Sequence, residues 1–128
     1  MAKIVLAEDD QMLAEIYQTR LEMSGQHTCK VAHDGLSALT MIHSEMPDLV
    51  LLDLMMPQLS GDQVLEQMRQ TDWGKDIKAI FLTNISESEA PLSLKDLDFE
   101  RYIVKVSLKQ NDLVDIVNET LGLKKSPA

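Results

Sequence analysis

The sequence predicts an α/β fold built around a parallel sheet, and three observations carry that expectation. Short, wholly apolar runs recur along the chain, the stretches between them repeat apolar residues at helical spacing, and the two patterns alternate from end to end. Runs that are apolar at every position fit strands covered on both faces, which is the situation in a parallel sheet.

The elements follow in order. Ile4–Ala7, Leu49–Leu52 and Ile80–Leu82 are compact apolar runs and read as central strands. Thr28–Ala32 is more mixed and suits an edge strand, and Tyr102–Val106 supplies the fifth. The first helix shows its face in Leu13, Ile16, Tyr17 and Leu21, with Gly25 as its stop. Leu39, Ile42 and Met46 mark the second helix, which ends before Pro47, and Val64, Leu65 and Met68 mark the third. The fourth helical segment, Ser86–Leu97, holds Pro91, tolerated only in a first turn, so a short helix starting near Ser88 is expected. The last helix presents Leu113, Ile116, Val117 and Leu121, with Ser107-x-x-Gln110 read as a capping box and Gly122 as its stop. Such alternation implies right-handed crossovers.

At 128 residues the chain fits one domain large enough to bury a core without staples. A hydrophobic share of 45% and a charged share of 26% argue against disorder. No apolar run approaches a bilayer-spanning length, and the N-terminal apolar stretch is too short for a secretory signal, so a cytoplasmic protein without membrane contact is expected. The lone Cys29 cannot form an internal disulfide, fits a reducing compartment and reads as a small hydrophobe. A formal charge of -9 disfavours direct nucleic-acid binding. His27, His33 and His43 lack metal-ligand spacing and are expected at surface or edge positions. The eight methionines read mostly as core fillers, and Trp73, in the Thr71–Lys75 loop, as packed locally or exposed.

Ligands of open parallel sheets bind beyond the carboxyl ends of the strands. The first strand there runs into Glu8-Asp9-Asp10 and the third into Asp53. If those strands are neighbours, the carboxylates crowd one crevice and repel unless a cation sits among them. Oxygen ligands without a Cys/His set point to Mg2+ or a similar hard ion. Asp10 is the exception, better read as a helix N-cap. Thr83 at the end of the fourth strand offers a hydroxyl, and Lys105 at the end of the fifth a positive charge. A carboxylate nucleophile, a metal site, a hydroxyl and an ammonium form a set suited to phosphoryl transfer, where catalysis is mostly positioning and neutralisation of charge.

With these residues in view, the chain resembles the receiver domains of bacterial two-component response regulators over essentially its full length. The resemblance rests on Glu8-Asp9, on Asp53-Leu54-Met55-Met56-Pro57 with Gly61 following, and on Thr83, Tyr102 and Lys105. Separations of 44 residues from Asp9 to Asp53, 30 to Thr83 and 22 to Lys105 match without an insertion. The resemblance implies a flavodoxin-like, doubly wound five-stranded sheet of order 2-1-3-4-5 with helices on both faces. It implies a receiver domain over residues 1–123 and a short tail over 124–128. It further implies that Asp53 accepts a phosphoryl group from a histidine kinase or phosphotransfer protein. Mg2+ would be held by Asp9, Asp53 and the Met55 carbonyl, with Glu8 acting through water. Lys105 would pair with the phosphoryl oxygens, Thr83 would move toward them, and Tyr102 would change rotamer with it. That motion would alter the face made by the fourth helix, fifth strand and fifth helix, where an unidentified downstream protein or a second copy would bind. Met55 and Ile85 occupy the positions that tune dephosphorylation, and neither can orient a water, so slow self-hydrolysis is expected.

Two positions depart from the family pattern. Val106 stands where proline usually follows the lysine in a cis linkage, and a cis bond to a non-proline costs about 2.5–4 kcal/mol. A trans Lys105–Val106 bond is therefore expected. Asn84 stands where a very small residue is usual and would either obstruct the phosphoryl pocket or donate to it.

Both departures support a rival reading, a pseudo-receiver acting as a constitutive interaction module, whereas the complete acidic, threonine and lysine set opposes it. An aspartyl-phosphate phosphatase would need a second aspartate at the position of Met55, and a flavin-binding protein would need a Ser/Thr/Gly phosphate loop after the first strand. The chain is accordingly expected not to be an enzyme beyond assisting its own phosphorylation and dephosphorylation. No output domain follows residue 121, so the effect would pass through protein contacts unless the sequence is a piece of a longer regulator.

Overall fold

A computed structural model describes residues 2–109 and 111–123. Five strands, β1 (Ala2–Ala7), β2 (His27–Ala32), β3 (Leu49–Leu52), β4 (Lys78–Thr83) and β5 (Arg101–Val104), form one sheet in the order β2-β1-β3-β4-β5. Every neighbouring pair is parallel, with Ala7 registered against both Ala32 and Leu52. Among the described residues the α-helices are α1 (Gln11–Met23), α2 (Gly35–Glu45), α3 (Gly61–Arg69) and α4 (Asp112–Thr120).

Strand residues alternate between two cores. Val5, Ala7, Val50, Leu52, Ala79 and Phe81 face α2 and α3, packing on Ala38, Ile42, Val64, Leu65 and Met68. Ile4, Leu6, Leu49, Leu51, Ile80 and Leu82 face α1 and α4, packing on Ala14, Tyr17, Leu21, Leu113 and Val117. All four residues of β3 are fully buried, which is why its sequence is apolar throughout.

Local signals explain most boundaries. Asp10 caps α1, its carboxylate accepting the Leu13 N–H at 3.1 Å, so the N-cap reading holds. Asp34 caps α2 in the same way through the Ser37 N–H at 2.7 Å. The Ser60 N–H donates to the Gln63 side chain at the start of α3. Gly25 and Gly122 take φ of 76° and 72° beyond the ends of α1 and α4, as their reading as stops requires. Trp73 is half-buried and neither exposed nor packed within its own loop: its ring stacks 4.4 Å from His43 of α2, 30 residues away.

Several expectations are corrected. The segment expected to hold a short α-helix near Ser88 forms two 3₁₀ turns, Glu87–Glu89 and Leu92–Asp96, because Pro91 between them prevents a continuous ladder. The face expected to mediate pairing therefore includes these turns in place of the helix expected between β4 and β5. β5 ends at Val104, and Lys105 opens a 3₁₀ turn reaching Ser107. Ile16 and Met46 are exposed, since Ala14 turns to the core beside Tyr17 and Met46 is a left-handed C-cap at φ 46°. His27 is only 3% exposed, because Nε2 pairs with Asn118 Oδ1 of α4 at 2.6 Å. Half of the capping box, Gln110, lies outside the described residues; α4 starts instead at Asp112, whose carboxylate accepts the Lys109 N–H. No cis peptide bond occurs among the described residues, so Lys105–Val106 is trans as expected. No helix among them is long and apolar enough to cross a membrane.

Candidate functional site

The parallel register places the residues at or just beyond the carboxyl ends of β1, β3, β4 and β5 at one end of the sheet. The Glu8 N–H donates to the Ala32 carbonyl at 2.9 Å and the Asp53 N–H to the Ala7 carbonyl at 3.1 Å, which continues the ladder into both acidic residues. Glu8, Asp53 and Thr83 are buried at 1%, 6% and 1% exposure. Polar groups that deep need partners, and here Lys105 serves both carboxylates while the N–H groups of Asp10, Met55 and Ile85 donate to Glu8, Asp53 and Thr83 in turn.

Lys105 reaches in from the end of β5, an outermost strand. Its ammonium lies 2.7 Å from Asp53 Oδ2 and also contacts the Glu8 carboxylate, with the lysine side chain only 7% exposed. Burial alone would lower the Lys105 pKa; the bonds and charges of Asp53 and Glu8 outweigh it and hold the pKa above the usual lysine value. For Glu8 the balance is reversed. Its burial, with a smaller contribution from the Asp53 charge, outweighs the Lys105 pairing and the Asp10 N–H bond, and its carboxyl is raised above the ordinary range. One ammonium does not satisfy this much negative charge.

Carboxylate oxygens of Glu8, Asp9 and Asp53 lie within 4.8 Å of one another, with Asp9 exposed at the mouth. The donor set is all oxygen, its charge exceeds the one lysine present, and it opens to solvent. Those properties fit a hard divalent cation that keeps several waters. Met55, Asn84 and Ile85 line the same opening. The Met55 N–H donates to Asp53 Oδ1 at 3.2 Å, which folds the loop after β3 back over the pocket.

Thr83 and Tyr102 meet through Ile85. The Ile85 N–H donates to Thr83 Oγ1 at 3.4 Å, and the Tyr102 hydroxyl donates to the Ile85 carbonyl at 2.6 Å. The structure thus brings Glu8, Asp9, Asp53, Thr83 and Lys105 together around one pocket and ties Tyr102 to its rim. Asp10 is occupied as a cap. Val106, 82% exposed, points away from the core.

One contributor went unread in the sequence. His33 Nδ1 donates to the Glu8 carbonyl at 3.1 Å, bracing the acidic turn from the residue after β2. The Ala7–Ala32 pairing puts both positions at one sheet edge, so only the strand order could have shown it.

The description "Response regulator receiver domain" matches residues 4–118. The chain belongs to that family. It is 40% identical over 93 residues to the response regulator MprA of Mycobacterium ulcerans, an alignment covering 70% of this chain and 39% of that protein. It is 35% identical over 103 residues to the probable transcriptional regulator ycf27 of Guillardia theta, covering 80% and 39%. This receiver chain therefore spans about two-fifths of the length of the relatives it matches. Among solved structures, the Francisella response regulator 1452 receiver domain superposes with a TM-score of 0.83 at 28% identity, covering 95% of this chain and 98% of that one. The Mn2+-bound form of response regulator Rcp1 gives 0.78 at 27% identity, with 100% of both chains covered. The shared fold is that of a receiver domain, a family that binds Mg2+ at an acidic pocket, and this chain carries an acidic cluster in Glu8, Asp9 and Asp53.

Proposed function

We propose that this receiver domain is a phosphorylation-controlled signalling switch with Asp53 as the phosphoacceptor. The observation that carries the reading is the Lys105 ammonium bridging buried Glu8 and Asp53 while Asp9 completes an acidic opening beside Thr83. An Asp53 carboxylate oxygen attacks phosphorus, the bond to the donor's histidine nitrogen breaks, and an acyl phosphate forms. Asp9, Asp53 and the Met55 carbonyl are the Mg2+ ligands, with Glu8 acting through water. The ion supplies neutralisation of the charge on the phosphoryl oxygens.

Lys105 exchanges part of its carboxylate pairing for a phosphoryl oxygen. Thr83 turns its hydroxyl toward the same group and so gives up the Ile85 N–H. Because Ile85 is also held by Tyr102, that rearrangement reaches β5 and the two 3₁₀ turns, where a downstream protein reads it. The phosphoryl donor is a histidine kinase or phosphotransfer protein, in the cytoplasm. The domain is not an enzyme toward external substrates. Exposed Met55 and half-buried Ile85 offer no group to orient water, which favours a long-lived phosphoryl state.

A second reading, a pseudo-receiver that does not hold phosphate, is favoured by Asn84 lining the pocket. One experiment separates the two. Incubation with acetyl phosphate and Mg2+ is expected to give an acid-stable, base-labile phosphoryl mass adduct that Asp53→Asn abolishes. No adduct on the unaltered chain would favour the pseudo-receiver, and continuous phosphate release would favour an enzyme.

A further inference from the structure

We infer that Gly35, the first residue of α2, is a positioning residue for the metal-ligating loop after β3, an inference that rests on the Mg2+ reading above. The loop leaves Asp53 and returns to the helix start at Gly61. Its two ends are fixed by backbone. The Gly61 N–H donates to the Leu54 carbonyl at 3.0 Å, and a Cβ at Gly61 would lie 2.2 Å from the Asp53 carbonyl oxygen.

The far side of the loop rests on Gly35. The Gly35 N–H donates to the Pro57 carbonyl at 3.1 Å. A Cβ built at Gly35 would lie 1.9 Å from the Leu59 carbonyl oxygen and 2.6 Å from both the Leu59 carbonyl carbon and Cβ. None of these atoms is the free end of a flexible side chain, so a methyl group there can be admitted only by moving the loop backbone. The positive φ of other glycines is not the reason for glycine here; the reason is closeness of approach.

Since Asp53 and Gly61 anchor the two ends, displacement at Leu59 is taken up by residues 55–58, where Gln58 already sits at φ 73°. Met55, whose carbonyl is the proposed metal ligand and whose N–H bonds Asp53 Oδ1, lies within that stretch. Gly35 belongs to a different helix and touches no reacting atom. It acts as the surface against which the loop is held, so that Asp53 and the Met55 carbonyl converge on the same point.

The test is calorimetric titration of the full chain with MgCl2, together with backbone amide NMR. Gly35→Ala is expected to fold, to raise the Mg2+ Kd by roughly 10–100-fold, the range typical for outer-shell supports, and to shift the Met55 and Leu59 amides. Gly74→Ala is the matched control: a Cβ there would lie 2.7 Å from the Met68 carbonyl oxygen, and Gly74 sits in the loop between α3 and β4, at the opposite end of the sheet. It is expected to lower Tm without changing the Mg2+ Kd. A Kd for Gly35→Ala within twofold of the unaltered chain, or an equal loss in Gly74→Ala, would overturn the inference. Should Gly35→Ala not fold, Leu59→Gly is compared with the Gly35→Ala/Leu59→Gly pair, where a glycine lets the loop give. The pair binding Mg2+ as tightly as Leu59→Gly alone would also overturn it. An unaltered chain that takes up no Mg2+ would refute the metal reading itself, an outcome distinct from any of these.

Discussion

The Lys105 ammonium lies 2.7 Å from Asp53 Oδ2 and is shared with Glu8, so the group that would receive phosphate and the group that would neutralise it are already in contact. The pairing also keeps two buried carboxylates from facing each other alone. Lys105→Ala is expected to lower unfolding stability at neutral pH by about 2–3 kcal/mol, the discounted cost of orphaning a buried ion pair whose pocket opens to solvent. Millimolar Mg2+ should restore much of that loss. Urea unfolding with and without Mg2+ measures both effects, and a stability unchanged by the substitution would count against the bridge.

Tyr102 carries one end of the link to Ile85. Tyr102→Phe removes the 2.6 Å bond to the Ile85 carbonyl and is expected to cost about 1 kcal/mol. The effect should be local. Amide hydrogen exchange would quicken over residues 85–90 and stay unchanged in β1 and β3.

Arg69 offers a test away from the pocket. Its guanidinium donates to the carbonyls of Gly74, Lys75, Ile77 and Asp98, tying the end of α3 to the approaches of β4 and β5. A lysine cannot make that fork of bonds. Arg69→Lys is expected to cost about 2 kcal/mol in chemical unfolding, with phosphorylation by acetyl phosphate unaltered.

Burial pushes the Cys29 thiol up to about 12, with the Glu22 charge adding to it. An unfolded thiol ionises near the ordinary value of about 8.5. Above that value the unfolded state binds fewer protons than the folded one, so stability falls as pH rises toward the folded pKa. Cys29→Ala should remove a slope of about 1.4 kcal/mol per pH unit in that window. At pH 8 the folded thiol should resist iodoacetamide and react only after denaturation.

Much of this protein was determined by sequence alone. The apolar runs of β1, β3 and β4 are legible because a strand covered on both faces has no polar position to spare, and β3 is buried at every residue. Glu8, Asp9, Asp53, Thr83 and Lys105 were legible because each lies at or just beyond a strand's carboxyl end and a resemblance fixed their order. Asp10 was legible because capping is local chemistry.

Tertiary structure decided what depends on partners distant along the chain. His27 is buried because Asn118, 91 residues away, supplies its hydrogen bond, and no local pattern encodes that pair. Ile16 fits a helical period yet faces solvent, since period alone does not say which flank of a helix meets the sheet, and Met46 is exposed because the helix has already ended in a left-handed cap there. The segment around Pro91 became two 3₁₀ turns because a broken backbone ladder left each half too short for an α-helix. The sharing of Lys105 between Glu8 and Asp53 required β1, β3 and β5 to meet in one sheet, and sequence names the three residues without stating that they touch.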